Sequence, residues 1–143
     1  MPKKRKRFSE AEVTDLRAVA VAALTTEGDY PKALRALDKI VAAGDKSCQC
    51  LVLRCATLLA LAGDNPQSAR LPKAVSDAMQ LKSFDSTSPV GSLCLARALL
   101  AQGDPFTAEV ECIRGIRVCL SLGEGETRRR SSAAQAPAHS GRR

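Results

Sequence analysis

The sequence predicts an all-α fold: three stacked helix-turn-helix hairpins forming a short α-solenoid. Three observations carry this expectation. The dipeptide Gly-Asp returns at 28–29, 63–64 and 103–104, each time after an apolar run. Apolar residues recur at three-and-four spacing, as in Ala33, Leu34, Leu37, Ile40 and Val41, the stripe of a helix that packs on a neighbour. Leu and Ala dominate, and the aromatic residues are only Phe8, Tyr30, Phe84 and Phe106, so the core of this 143-residue chain must be filled by close helix approach.

The elements follow in order. Ser9 is placed to cap the backbone and Glu12 to reach back to it, a capping box, with Phe8 and Val13 at the positions of a hydrophobic staple. This first helix is expected over 10–26 and should stop at Gly28, the residue type that best takes a positive φ. Asp29 then caps a second helix, which tolerates Pro31 in its first turn and ends before Gly44. A helix over 47–62 ends at Gly63, and Asp64 opens the next segment. Pro72 would break a helix interior, so the second hairpin should have a longer bend and a shorter second helix, 71–81. Ser88 and Pro89 begin a helix to about residue 101, and Asp104 and Pro105 start a last one reaching about residue 122. The recurring Gly-Asp thus reads as helix stop followed by helix start.

Charge is segregated along the chain. Five of the 22 basic residues lie in residues 1–7 and five beyond residue 122, where only Glu124 and Glu126 oppose them. Residues 8–122 hold the other 12 bases against 13 acids, a net of −1. A nucleic-acid groove needs positive charge on the fold itself, so nucleic-acid contact is expected only through the ends. Arg54 interrupts the best apolar stretch, no run reaches the roughly 18 residues of a membrane span, and no apolar segment follows the basic start. Neither membrane association nor export is expected.

Nothing in the sequence announces a reaction. Cys55, Cys94, Cys112 and Cys119 fall inside apolar helical patterns, where a free thiol behaves as a small hydrophobe. Cys48, Cys50 and Cys55 form the only cluster, and they lack the second pair or the histidines of a zinc site, so no metal or cofactor is expected. The sole histidine, His139, lies in a low-complexity tail, and the Gly-Asp bends lack the lysine of a phosphate loop. Asp15, Asp38 and Asp77 read as ordinary exposed helix residues, which leaves no acid–base pair and implies a non-enzymatic protein.

The glycines at 28, 63 and 103 are 35 and 40 residues apart. Four residues before them stand Leu24, Leu59 and Leu99; seven before, Val21, Ala56 and Ala96; five after, Ala33, Ser68 and Ala108. On these positions residues 10–122 resemble the tetratricopeptide repeat family, built of helix-turn-helix units of about 34 residues. The pattern departs from the family at Arg17, Val52 and Ser92, where it has a large residue, and no proline closes the repeats. Pentatricopeptide repeats, which bind single-stranded RNA, share the period, and an irregular helical bundle is the plainer alternative. The neutral fold and the Gly-Asp bend favour the tetratricopeptide reading.

The resemblance implies a concave groove lined by the first helix of each unit, with Leu53, Thr57, Val90, Leu93, Arg97 and Leu100 facing a peptide or amphipathic helix of a partner protein. Some relatives clamp the acidic C-termini of heat-shock chaperones there; the matching positions here hold Ala18, Ala22, Arg54, Val90 and Cys94, so that clamp is absent. Ile113, Ile116 and Leu120 form a stripe with little to cover it, which makes a homodimer a further expectation. The function expected is that of a protein-interaction adaptor or scaffold. The alternative is a nucleic-acid-associated factor that uses its basic N- and C-terminal segments.

The expected organisation is a basic arm (1–8), a helical repeat domain (9–122) and a disordered basic tail (123–143). Lys3, Lys4, Arg5, Lys6 and Arg7 crowd cations on an extended segment and resemble a nuclear import signal, whose reader is the import receptor; nuclear localisation follows, with the cytoplasm as a second location. Arg128, Arg129 and Arg130 before Ser131 resemble the substrate pattern of basophilic kinases, so Ser131 is a candidate for phosphorylation. Replacing Lys4, Arg5 and Lys6 by alanine in a fusion too large to diffuse should move its fluorescence from nucleus to cytoplasm. Unchanged nuclear fluorescence overturns the import reading.

Overall fold

The computed structural model describes residues 7–134. Six α-helices follow one another: α1 (Glu10–Ala22), α2 (Tyr30–Ala42), α3 (Cys48–Ala62), α4 (Arg70–Phe84), α5 (Val90–Ala101) and α6 (Pro105–Ala134), with no strand among the described residues. Each helix packs on the next in the chain, and α5 also reaches back to α3.

Local chemistry sets the helix ends. The Ser9 hydroxyl accepts from the Glu12 amide at 3.2 Å, and the Glu12 carboxylate accepts from the Ser9 amide at 2.7 Å. Asp29 and Asp104 cap α2 and α6, accepting from the amides of Lys32 (3.0 Å) and Thr107 (3.1 Å). A wide π-helical turn, Ala23–Glu27, carries α1 to Gly28. Gly-Asp is not confined to the three bends: it also stands at Gly44 and Asp45, between α2 and α3, and all four of its glycines have positive φ.

Gly63 goes furthest, with φ 56° and ψ −137°. This lies outside the left-handed helical region usual for a cap, in a region that a side chain makes costly. Asp64 is exposed, and the chain turns instead on Asn65 and Ser68, which accept from the amides of Gln67 (3.0 Å) and Arg70 (3.3 Å). Pro72 therefore falls in the first turn of α4, where its missing N–H costs nothing, and the helix runs on to Phe84, beyond the expected 71–81.

The largest departure is at the C-terminal end. Instead of stopping near Leu122 before a disordered tail, α6 continues to Ala134. The continuation is rich in Glu, Arg and Ala, all good helix formers, and Arg130 pairs with Glu126 one turn back at 3.1 Å. Only Ala108 and Glu111 of α6 are buried, so the segment beyond residue 122 is held by its own hydrogen bonds and not by packing. Residues 135–143 of the expected tail, with His139, and the import residues Lys3, Lys4, Arg5 and Lys6 lie outside the described residues; Arg7 is exposed.

Small side chains build the core. One cluster joins Ala20, Ala36, Leu37, Ile40 and Cys50 across α1, α2 and α3. A second joins Cys55, Leu58, Ala74, Ala78, Leu95 and Ala98 across α3, α4 and α5. Between them Arg54 of α3 donates from Nε and Nη2 to the two carboxylate oxygens of Asp77 on α4, at 2.7 and 2.6 Å, and from Nη1 to Asp38 on α2 at 3.3 Å. Asp77 is thus not the exposed helix residue that its spacing suggests: it is 1 % exposed, because the fork of Arg54 neutralises it in place. Arg17 of α1 reaches Asp45 in the same way at one end of the molecule, and Lys82 of α4 reaches Glu111 of α6 (2.7 Å) at the other.

Helices α4 and α5 come closest at Gly91. A Cβ there would lie 2.7 Å from the Lys82 backbone nitrogen and 2.9 Å from its Cα. Gly91→Ala must push the two helices apart, costing about 2 kcal/mol or more and lowering Tm by roughly 8 °C. Gly123→Ala meets no neighbour within 4 Å and should raise Tm slightly through helix propensity. Calorimetry of the two variants checks both. A Gly91→Ala protein melting with the wild type would mean that α4 and α5 are not in this contact.

Candidate partner-binding surface

The six residues expected to share one concave groove do not share it. Leu53 and Val90 line a recess of about 590 Å³ between α3 and the start of α5, with Val21 of α1 on its rim. Val90 and Leu93 line a second groove, of about 430 Å³, between α5 and α6. Arg97 and Leu100 border a third recess at the bend end, beside Gly63 and Pro66. Thr57 meets no surface at all: it is buried, and its hydroxyl donates to the Leu53 carbonyl at 2.7 Å. The three-and-four spacing gave the correct helix for Thr57 but not its burial.

The groove between α5 and α6 is the most apolar of these surfaces. Leu93 on one wall is 58 % exposed, and Ile116 and Leu120 on the other are 58 % and 62 % exposed. Pro89 and Gly115 form its floor, and Cys112 and Cys119 lie one heptad apart along it. Both cysteines are exposed, not buried as small hydrophobes, because nothing packs over this face of α6. Glu111 is the one carboxylate in the lining. Burial raises its pKa, but Lys82 and Arg114 outweigh that and hold it below the usual range, so it stays ionised and paired.

On the other side of α5, Cys94 packs against the core cluster that holds Cys55. Their positions, eight before Gly63 and nine before Gly103, are not equivalent in the repeat, and the periodic pattern shows each only as a small apolar residue, so the spacing does not reveal that they meet. The Cys55 thiol donates to the Ala74 carbonyl at 3.6 Å; the neighbouring Cys94 sulfur pushes its pKa up, and burial adds to the effect. The interaction with the Cys55 thiol lowers Cys94 to about 7; burial opposes this and the Arg97 cation, one turn on, helps. Cys55 is buried and Cys94 half-buried.

Among the described residues no three His, Cys, Asp or Glu side chains converge as metal ligands, and no helix is long and apolar enough to cross a membrane. Ser131 lies on the exposed C-terminal part of α6. No protein-family model matches the sequence, and neither a curated protein nor a solved structure was found to resemble it.

A depressed pKa has a direct signature. The Cys94 thiolate is present above about pH 7 and lost below it, whereas an ordinary thiol ionises near about 8.5. Alkylation of Cys94 by iodoacetamide, followed by peptide mass spectrometry, should therefore rise through pH 7. In Cys55→Ala, which removes the neighbouring thiol, the rise should move to higher pH. A profile indifferent to Cys55 would deny the contact between the thiols.

Proposed function

We propose that the protein is a non-enzymatic adaptor, a short stack of three hairpins of tetratricopeptide-like build, that takes the apolar face of a partner's amphipathic helix into the groove between α5 and α6. The observation that carries this reading is a repeated packing relation. Helix α5 lies on both helices of the preceding pair, α3 and α4. The equivalent surface on the α5–α6 pair is the groove that exposes Leu93, Ile116 and Leu120, and its apolar lining suits one more helix. Partner helices that dock this way insert apolar residues at three-and-four spacing. The recess at Leu53 and Val90, on the face where the tetratricopeptide family binds its ligands, is a secondary contact in this reading.

The basic arm fits a nuclear adaptor delivered by the import receptor. The exposed run Arg128, Arg129 and Arg130 on α6 favours a second reading, in which the basic ends touch nucleic acid. Salt separates the two, since binding to phosphates falls steeply as salt rises and apolar docking does not.

Leu93→Glu tests the groove. At so exposed a site the carboxylate stays solvated, so helical circular dichroism and Tm should remain near wild type while partner binding is lost. Ile116→Glu should do the same, and Leu100→Glu, outside the groove, should leave binding intact. If the occupant is a second copy of the chain, sedimentation at micromolar concentration will show a dimer that Leu93→Glu dissolves. Binding that survives both Leu93→Glu and Ile116→Glu rules the groove out.

A further inference from the structure

Behind the α5–α6 groove, on the opposite side of the same helix pair, lies a polar recess of about 330 Å³ bordered by Lys82 of α4, Ser88 before α5, Ser92 in its first turn, and Arg114 and Arg117 of α6. Ser92 is only 6 % exposed and lines the recess. Its hydroxyl makes no hydrogen bond among the described residues, and its oxygen stays open to the recess: the fully enclosed side-chain atom without a partner is Arg17 Nε. Whatever fills the recess is therefore what this hydroxyl bonds to, water or an anion that accepts from it.

The charges around it point the same way. Glu111 accepts from Lys82 at 2.7 Å and also takes Arg114, which leaves Arg117 with no carboxylate among the described residues. The other acid on the rim, Asp85, is occupied by the Thr87 amide (3.0 Å) and hydroxyl (2.6 Å). Three cations therefore face two carboxylates, both already engaged. The 12-residue helix α5 adds the positive end of its dipole and the amides of its first turn.

We propose that this recess binds a phosphate group, as the dianion or as a monoester, with the Ser92 hydroxyl and the Arg117 guanidinium as its principal donors. Phosphate oxygens accept from both, and a planar guanidinium matches them in a forked geometry. Lys82 and Arg114 supply field from their places beside Glu111. The recess shares no lining residue with the apolar groove, so the proposal is tested separately from the groove reading.

Titration of the full chain with inorganic phosphate and with O-phosphoserine, by calorimetry and by amide chemical shifts, tests this. Saturable binding is expected, with shifts at Gly91, Ser92 and Arg117. Arg117→Gln and Ser92→Ala should each weaken it about tenfold, the loss of one charge-assisted donor. Arg128→Gln and Leu93→Glu should leave it unchanged. Tighter binding of phosphoserine would identify a monoester as the ligand; equal binding would identify the free ion. Titrations that fail to saturate below about 10 mM, or a loss that follows Arg128 and not Arg117, overturn the site. Because Arg117 is exposed, its variant remains decisive if Ser92→Ala disturbs the fold.

Discussion

With so few rings in the sequence, the helices must approach one another through alanine and glycine, and the contact at Gly91 is the tightest case. There the backbone of Lys82 occupies the space that a methyl group on α5 would need. That approach fixes the height of α5 on α4, and much of the surface follows from it. Residues one step either side of Gly91 are driven to opposite faces: Val90 outward to both apolar surfaces, Ser92 inward against α6, where its Cβ lies 3.5 Å from the space over Gly115. The apolar groove and the polar recess are two sides of one close packing.

Small side chains pack without strong directional preference, so register must come from elsewhere. The cross-helix ion pairs supply it. Arg54 and Asp77 are taken out of water at considerable cost, and a pair of this kind contributes less net stability than its short distances suggest. Its geometry, however, is satisfied in one register only: the guanidinium fork must meet both oxygens of Asp77 while its remaining edge reaches Asp38. Sliding α4 by a turn would leave a buried carboxylate without its cation, an error of several kcal/mol. Arg17 with Asp45, and Lys82 with Glu111, repeat the device at the two ends with more solvent around them, where each pair is worth less.

Which of these features the sequence revealed depends on how local their causes are. Helix starts and stops are decided within about four residues, and Ser9, Glu12, Asp29, Gly28, Gly103 and Asp104 could be read directly. Burial is decided by a neighbour that may lie 20 or 40 residues away. Asp77 and Asp38 look alike on their helices, and only the position of Arg54 on α3, forked onto Asp77 and touching Asp38 with its remaining edge, goes with the burial of the first and the exposure of the second. Thr57 and Leu53 lie one turn apart on α3, yet the first is fully buried and the second lines an open recess. Cys112 and Cys119 follow an apolar spacing as regular as that of Cys55, and they differ only because no helix lies on that face of α6. The continuation of α6 past Leu122 was missed for the converse reason: composition without an apolar stripe suggests disorder, but helix propensity and the Glu126–Arg130 pair act within the segment itself.

The same logic bears on how the two proposed sites would influence each other. A helix in the groove would press on Leu93, Ile116 and the floor at Gly115; a phosphate in the recess would draw on Ser92 and Arg117 from behind. Both act on the separation of α5 and α6 at the point where Ser92 meets Gly115. Coupling between two ligands requires that each favour a different setting of a shared element, and it is reciprocal when it exists. Here the shared element is a single helix pair, and beside Ser92 the glycine at 115 leaves the space of a methyl group unfilled. An occupant of the groove that wedges α5 from α6 would widen the spacing between Ser92 and Arg117, so coupling through such opening is negative, and coupling through closure of that space is positive.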